Sequence, residues 1–162
     1  MKKLDKREKT MNLFLKDKKS IYAIADGKTF PIEEVKDEVF SSKMMGDGIA
    51  FELMDNKIYS PGNGIIQVVF PDGHAIGLKR KDGAEFLIHI GFNVCDLKGK
   101  GFYPKVKVGQ KVKSGDLLVE LSREELKEID LTTVLIFMNF NPVKKKINSE
   151  VIANQTLVAE GS

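Results

Sequence analysis

The chain has little of several residue types that carry chemistry. Its 162 residues include no tryptophan, one cysteine and two histidines. The single cysteine, Cys95, cannot form a disulfide within the chain, so a reducing, cytoplasmic setting is expected. No apolar run approaches the roughly 20 residues that a membrane-spanning helix requires. A chain of this length is expected to form one domain with a substantial core.

Positive charge is concentrated at one end of the chain. Residues 1–19 hold eight Lys/Arg and three Asp/Glu, which leaves 18 of the 26 basic residues and 20 of the 23 acidic ones for residues 20–162. We predict a basic, flexible leader over 1–19, with weak contact to an anionic membrane surface as the alternative. The rest, 20–162, is predicted to be the folded domain. Its slightly acidic balance argues against nucleic-acid binding.

Short apolar segments separated by turn residues run from residue 20 onward. This pattern predicts an all-β fold, an antiparallel sandwich or barrel. Two short helices are expected as well, an acidic one at 32–39 and one at 122–129, where Ser122 and Glu125 match a capping box. The candidate strands are 20–24, 48–53, 57–59, 64–69, 75–79, 84–90, 117–121, 134–138 and 156–159.

Residues 108–118 pair two glycine turns with alternating apolar residues. This pattern resembles the hammerhead turn of biotinyl, lipoyl and related hybrid β folds, and it favours a sandwich of the duplicated hybrid type. A swinging-arm carrier would also need a lysine at a hairpin tip in a Met-Lys-Met or Asp-Lys-Ala context. Lys43 lies in Ser-Lys-Met-Met, so a swinging arm is not expected.

The two histidines, His74 and His89, flank a strand–turn–strand pattern. Asp82-Gly83 is a favoured pair for a two-residue type I′ turn, because both central residues of that turn need positive φ. Such a turn would place Ile76 opposite His89. Both imidazoles would then project from one face of the sheet as diagonal neighbours, roughly 7–8 Å apart at the backbone. A three-residue loop would instead place them on opposite faces.

A histidine pair of this kind is compatible with three chemistries. Zinc hydrolysis needs three protein ligands and an open position, and the chain has no third histidine. Phosphoryl transfer through phosphohistidine needs a nucleophilic nitrogen, a supporting donor and an apolar docking surface. A structural or partner-bridging metal site is the third. The ligand count favours phosphoryl transfer.

Several local motifs follow one another in the chain. They are Val39-Phe40, Gly46-Asp47-Gly48-Ile49-Ala50, Ser60-Pro61-Gly62-Asn63-Gly64, Gly73-His74-Ala75, Phe86-Leu87-Ile88-His89-Ile90-Gly91 and Leu97-Lys98-Gly99-Lys100-Gly101-Phe102. Together they resemble the glucose-family enzyme IIA component of the bacterial phosphoenolpyruvate-dependent sugar phosphotransferase system. The likeness extends from about residue 20 to the C-terminus, and the last two motifs are the most specific.

The resemblance implies a phosphotransferase with an antiparallel β-sandwich fold. It implies that His89 accepts phosphate from the phosphocarrier HPr and passes it to the cysteine of a IIB domain, which phosphorylates sugar entering through a membrane-bound IIC part. His74 matches the second histidine, which supports the phosphoryl group. No cofactor is implied for turnover. In some members the equivalent pair binds zinc together with a carboxylate of a partner, so a regulatory protein that bridges partners in this way is the alternative function.

The resemblance also implies an apolar docking rim made by Val39, Phe40, Phe70 and Leu87. The predicted register independently places Leu87 on the histidine face, together with Ile76.

This chain departs from the family pattern at three places. Asp72 stands where the family usually has threonine, Asn93 where it commonly has aspartate, and Thr132-Thr133 where it has threonine-proline. Asp72 is a candidate for orienting the His74 ring.

Overall fold

The computed structural model describes residues 5–7 and 20–161. Apart from 5–7, the predicted basic leader lies outside the described residues. Within the described part, no helix is long and apolar enough to cross a membrane. From residue 20 onward the described residues form fourteen strands, two short 3₁₀ segments and one short α-helix.

Most of the strands contain five residues or fewer. In chain order they are β1 (Ser20–Tyr22), β2 (Gly27–Pro31), β3 (Asp47–Leu53), β4 (Lys57–Tyr59), β5 (Gly64–Val69), β6 (Ala75–Lys79), β7 (Glu85–Ile90), β8 (Phe102–Pro104), β9 (Lys111–Val112), β10 (Leu117–Leu121), β11 (Thr133–Phe137), β12 (Pro142–Lys145), β13 (Glu150–Val151) and β14 (Leu157–Gly161). The helical segments are the 3₁₀ turns Ile32–Glu34 and Cys95–Leu97 and the helix α1 (Glu38–Ser41).

The described strands form three antiparallel sheets. Eight strands make the large sheet, in the order β13-β2-β3-β11-β7-β6-β5-β9. Two three-stranded sheets, β1-β14-β12 and β4-β10-β8, complete the sandwich. The antiparallel fold predicted from the sequence is confirmed. Strands β6 and β7 lie inside the large sheet with partners on both sides, so the histidine-bearing hairpin is held firmly.

Side-chain alternation along the large sheet separates two apolar clusters. Phe86, Ile88 and Ile90 of β7 join the main core, which collects residues from all three sheets. Leu87, between them, joins a smaller cluster that we call the outer cluster. The outer cluster consists of Ile32, Val35, Phe40, Ala50, Ala75, Leu87, Phe92, Val134 and Ile136. His89 follows Leu87 by two residues and therefore lies on the same face of β7.

All nine predicted strands are confirmed, with ends that differ by at most two residues. Five further strands, β2, β8, β9, β12 and β13, were not predicted. Strands β2, β8 and β12 contain proline at an end, a residue that cannot donate to a sheet ladder and lowers the strand signal. Strands β9 and β13 contain only two residues each and lie at the sheet edges.

The helix predicted at 32–39 is divided into two pieces. The first is the 3₁₀ turn Ile32–Glu34 and the second is α1. Val35 between them is extended, with φ −71° and ψ 152°. Asp37 is the N-cap of α1, since its side chain accepts a hydrogen bond from the Val39 N–H at 2.9 Å.

The helix predicted at 122–129 does not form, although half of its capping box does. The Glu125 N–H donates to Ser122 Oγ at 3.3 Å. The reciprocal bond is missing because the Ser122 N–H donates to the Gly101 carbonyl and the Glu125 carboxylate accepts from the Tyr103 hydroxyl. Residues 123–128 consequently form consecutive turns.

The corner predicted at 108–118 contains β9, and hydrogen bonds hold it against β5. Gly109 and Gly115 both have φ of +88°. The Gly109 N–H donates to the Ile66 carbonyl, and the Ile66 N–H donates to the Gln110 carbonyl. This corner lies beside the first residues of β5, at the end of that strand that is far from Phe70.

The aromatic cluster at Phe86 is expected to dominate the stability of the main core. Phe86 is fully buried and its ring lies 5.9 Å from that of Phe137 and 5.3 Å from that of Phe140. Phe86→Ala should lower the free energy of unfolding by about 3–5 kcal/mol, the usual cost of such a cavity. Urea unfolding measures the loss.

The matched control is Val143→Ala, because Val143 is 63% exposed on an edge strand. It should change stability by less than about 0.5 kcal/mol. Equal effects of the two substitutions would contradict the position of Phe86 in the core.

Candidate functional site

The hairpin that carries the histidines has a three-residue loop. Arg80 and Ala84 close it, since the Arg80 N–H donates to the Ala84 carbonyl at 2.9 Å and the Gly83 N–H donates to the Arg80 carbonyl at 3.0 Å. Gly83 has φ of +90°, whereas Asp82 is not among the described residues with positive φ. A type I′ turn needs positive φ at both residues. The predicted two-residue turn is therefore wrong.

The longer loop shifts the register between β6 and β7 by one residue. Ala75, rather than Ile76, lies opposite His89, and Ile76 pairs with Ile88. The prediction that Ile76 shares the histidine face is consequently wrong, and Ile76 is buried in the main core. Leu87 does share that face and lies opposite Gly77.

The two imidazoles nevertheless meet, because His74 precedes β6 and does not follow its alternation. It lies in the bend after Gly73, which has φ of +76°. The His74 carbonyl accepts a hydrogen bond from the Ile90 N–H at 2.8 Å, which ties the bend to the end of β7. The centroids of the His74 and His89 rings are 5.0 Å apart and their planes meet at 86°. The predicted juxtaposition is confirmed, although the predicted register is not.

Four phenylalanine rings frame the pair. The ring centroids of Phe40 and Phe92 lie 4.8 Å and 6.3 Å from that of His89. Those of Phe70 and Phe102 lie 5.5 Å and 6.1 Å from that of His74. The frame removes water from one side of each imidazole and leaves both residues half-buried.

This environment keeps both rings neutral at pH 7. Burial lowers the pKa of His89 to about 4, and the neighbouring His74 adds to this effect, while Asp37 and the backbone of Gly91 oppose it. Burial also lowers the pKa of His74 from its usual value, with the Asp72 carboxylate opposing. The Nδ1 atom of each ring is buried without a hydrogen-bond partner among the described residues. Nε2 is therefore the nitrogen that each ring can offer to a ligand.

The predicted docking rim is divided between exposed and buried side chains. Val39 is 44% exposed and Phe70 is 37% exposed. Phe40 and Leu87 are only 6% and 8% exposed. Val39 and Phe70 can touch a partner directly, while Phe40 and Leu87 form the layer beneath.

The positions that depart from the family pattern are all near the pair. Asp72 lies in the turn before His74 and raises its pKa through charge, but it makes no hydrogen bond to His74 Nδ1. Asn93 has φ of +57°, a conformation that asparagine adopts more readily than most residues. The Thr133 hydroxyl donates to the Leu131 carbonyl at 3.0 Å, just before β11 pairs with β7.

Three residues of the site were not predicted as functional: Asp37, Phe92 and Phe102, the last of which packs against the His74 ring. Asp37 acts on His89 through charge, and Phe92 packs against the His89 ring. The N-cap pattern at Asp37, an aspartate before a short helical segment, was a signal that could have located it. Phe92 had no comparable signal, because its approach depends on how the chain bends after Gly91.

A metal ion at this pair would need a ligand from another molecule. Among the described residues, no group of three or more His, Cys, Asp or Glu side chains is arranged to hold one. The pair could supply two imidazole nitrogens, while a zinc hydrolase needs three protein ligands. The donor set therefore disfavours a self-contained zinc enzyme.

This chain is similar in fold to a solved structure and in sequence to a curated protein. The glucose permease IIA from Mycoplasma capricolum superposes with a TM-score of 0.81 at 34% identity, covering 87% of this chain and 94% of that one. The glucose-specific EIICBA component of the phosphotransferase system of Streptococcus pneumoniae serotype 4 is 40% identical over 144 residues, or 86% of this chain. The chain spans 20% of the length of that relative.

The match to a family extends over most of the described domain. Residues 19–143 match the family described as phosphoenolpyruvate-dependent sugar phosphotransferase system, EIIA 1. The resemblance, the sandwich fold and the phosphotransferase class predicted from the sequence are thereby confirmed. The chain belongs to the EIIA 1 family of the phosphoenolpyruvate-dependent sugar phosphotransferase system.

Proposed function

We propose that this chain is a phosphocarrier in which His89 accepts a phosphoryl group from phospho-HPr and passes it to the cysteine of a IIB domain. The observation that carries the proposal is the neutral imidazole pair, with rings 5.0 Å apart in an apolar frame. The pair has the nucleophile, the supporting donor and the docking surface that such a relay needs.

His89 is proposed as the nucleophile through Nε2. Because Nδ1 is buried, an incoming phosphorus atom can reach only the other ring nitrogen. A pKa of about 4 keeps the ring neutral at pH 7, and a neutral ring has one nitrogen lone pair. In the transfer step that lone pair forms a bond to phosphorus while the nitrogen–phosphorus bond in the donor breaks. In the delivery step a cysteine thiolate of the IIB domain forms a bond to phosphorus while the bond from phosphorus to His89 Nε2 breaks, which restores the neutral ring.

His74 is proposed to support the phosphoryl group. Its ring stands edge-on to His89 at 86°, so a ring N–H of His74 can donate to a phosphoryl oxygen on His89. Hydrogen bonds aimed at the charge that develops during transfer stabilise the transition state. The Asp72 carboxylate opposes the lowering of the His74 pKa by burial, and its charge favours the proton that the His74 ring donates.

The apolar surroundings suit a relay with two successive partners. Phe40 and Phe92 shield the His89 ring from water on its protein side, and Phe70 and Phe102 do the same for the His74 ring. Val39 and Phe70 are exposed beside it. A small, partly apolar contact of this kind favours docking that is transient.

The acceptor is proposed to be a IIB domain of a sugar transporter, working at the cytoplasmic side. The Streptococcus relative is named an EIICBA component, which joins B and C parts to the A part. The lone cysteine, Cys95, is exposed and unpaired as a disulfide, which fits a reducing compartment.

Replacing each histidine should separate acceptance from delivery. With phosphoenolpyruvate, enzyme I and HPr, wild-type chain should take up one acid-labile phosphate and His89→Ala should take up none, since the nucleophile is lost. His74→Gln should accept phosphate yet deliver it to a IIB domain about 100-fold more slowly, the usual cost of a lost transition-state donor. Intact-protein mass spectrometry and a timed transfer assay measure the two steps. Phosphate uptake by His89→Ala would refute the assignment.

Both histidines should titrate below the usual value for histidine, and His89 far below it. In an NMR titration His89 should titrate near pH 4, and His74→Gln should raise the pKa of His89 because it removes a neighbouring charge. Since the unfolded state binds a proton near pH 6.5 and the folded state does not, stability should fall as the pH drops from about 6.5 to 4. His89→Gln should lose less stability over that window. A His89 pKa at or above 6.5 would contradict the burial.

Removing the Asp72 charge should shift one histidine only. Asp72→Asn should lower the pKa of His74 further, because the carboxylate that raises it is gone. The same NMR titration measures this, with Asp55→Asn, in the turn between β3 and β4, as the control. An unchanged or higher His74 pKa would show that Asp72 does not act through charge.

A further inference from the structure

We propose that residues 99–104 are the positioning element for His74: they hold the bend that carries it so that its ring faces His89. The proposal rests on the supporting role given to His74 above. It concerns contacts made by the turn before β8 and by β8 itself, a strand that belongs to a sheet without either histidine.

The orientation of His74 needs a cause outside its own hairpin. Ala75 lies opposite His89 in the register, so a regular strand residue before Ala75 would point to the other face of the sheet. The His74 ring reaches the His89 face only because the chain bends at Gly73. The backbone bond from the Ile90 N–H to the His74 carbonyl anchors the main chain, but it does not set where the ring lies.

The first contact of the positioning element is with Gly73. A Cβ atom at Gly73 would lie 2.9 Å from the Cγ and Cδ atoms of Pro104 and 3.2 Å from the Phe102 carbonyl oxygen. Only a residue without a side chain fits between the bend and β8. The bend is therefore pressed directly against β8.

The second contact is with Asp72. A Cβ atom at Gly99 would lie 3.3 Å from the Asp72 carbonyl oxygen and 3.4 Å from its Cα. Gly99 also has φ of +86°, so it turns the chain so that the backbone passes close to the bend. Because Gly73 and Gly99 have no side chains, residues 99–104 pack directly against Asp72 and Gly73, two consecutive residues of the bend.

The third contact is with the His74 ring itself. Phe102 is buried in the main core, and its ring centroid lies 6.1 Å from that of His74 with the planes at 64°. Phe102 pairs with Leu121 of β10, in a sheet that contains neither histidine. The ring of His74 thus contacts a side chain that is fixed in the main core.

Three alanine substitutions in the full chain separate this contact from general backbone strain. Gly99, Gly109 and Gly83 have nearly the same φ, +86°, +88° and +90°. A Cβ atom would press on Asp72 at Gly99, whereas at Gly109 and Gly83 it would meet nothing within 4 Å. Gly99→Ala is the test, and Gly109→Ala and Gly83→Ala are controls that carry the backbone strain without the tight contact to Asp72.

The readouts are the pKa of each histidine and the two transfer rates. Because the chain has only two histidines, NMR resolves both imidazoles and His74→Gln assigns them. Gly99→Ala should raise the pKa of His74 toward 6.5, since its ring moves away from Phe102, with Asp72 and His89 as the charged and titratable neighbours that remain. Delivery to IIB should slow several-fold, because a misplacement of about 1 Å can cost 100-fold and the shift needed here is a few tenths of an ångström, while acceptance on His89 changes much less. Both controls should match wild type in all readouts.

Phe102→Leu tests the contact between the Phe102 and His74 rings without changing a backbone contact of the bend. It should shift the His74 pKa in the same direction by a smaller amount. Unchanged His74 titration in folded Gly99→Ala and Phe102→Leu would overturn the proposal, as would equal shifts in the two glycine controls. If His74→Gln delivered phosphate normally, the supporting role of His74 would fail, whereas the imidazole titrations would still decide whether residues 99–104 position the ring.

Discussion

The site depends on the alternation of side chains along β7. Phe86, Ile88 and Ile90 fill the main core, and that burial leaves no freedom in how the strand is turned about its own axis. Leu87 and His89 must then point to the opposite face, where Phe40 and Phe92 cover part of the imidazole. A reactive side chain is thus placed by the strongest packing in the molecule rather than by a loop.

The same packing sets the chemistry of the ring. The partial cover that holds His89 also removes water from it, which lowers its pKa to about 4 and buries Nδ1. A neutral ring with one accessible nitrogen follows from position alone, with no base required to activate it. Val39 and Phe70 are exposed, so the layer of apolar side chains that covers the pair ends there. In the relay proposed above, a partner that docks there would complete the exclusion of water for the duration of transfer.

Much of this arrangement could be predicted from the sequence, and the failures have physical reasons. Strand β7 was predicted because its apolar run is bounded by turn residues, and the role of His89 was proposed from its pairing with His74 and from the family motif Phe86-Leu87-Ile88-His89-Ile90-Gly91. The hairpin register was wrong, because Asp82-Gly83 fits a two-residue turn as well as the longer loop that closes at Arg80 and Ala84. The juxtaposition with His74 was still correct because a second departure, the bend before β6, offset the first. Contacts such as Phe102 with His74 join separate sheets, and no local pattern encodes them.

The two histidines are consequently held in different ways. His89 is part of a central strand, so its position could change only if the core changed. His74 sits in a bend whose orientation comes from Gly73, Gly99 and Phe102, which lie at the junction of two sheets. Small substitutions at that junction can therefore move the supporting ring without unfolding the domain. Asp72 lies in the same bend. This chain therefore has a charged residue, instead of the family's usual threonine, at the place where the geometry of the histidine pair is easiest to adjust.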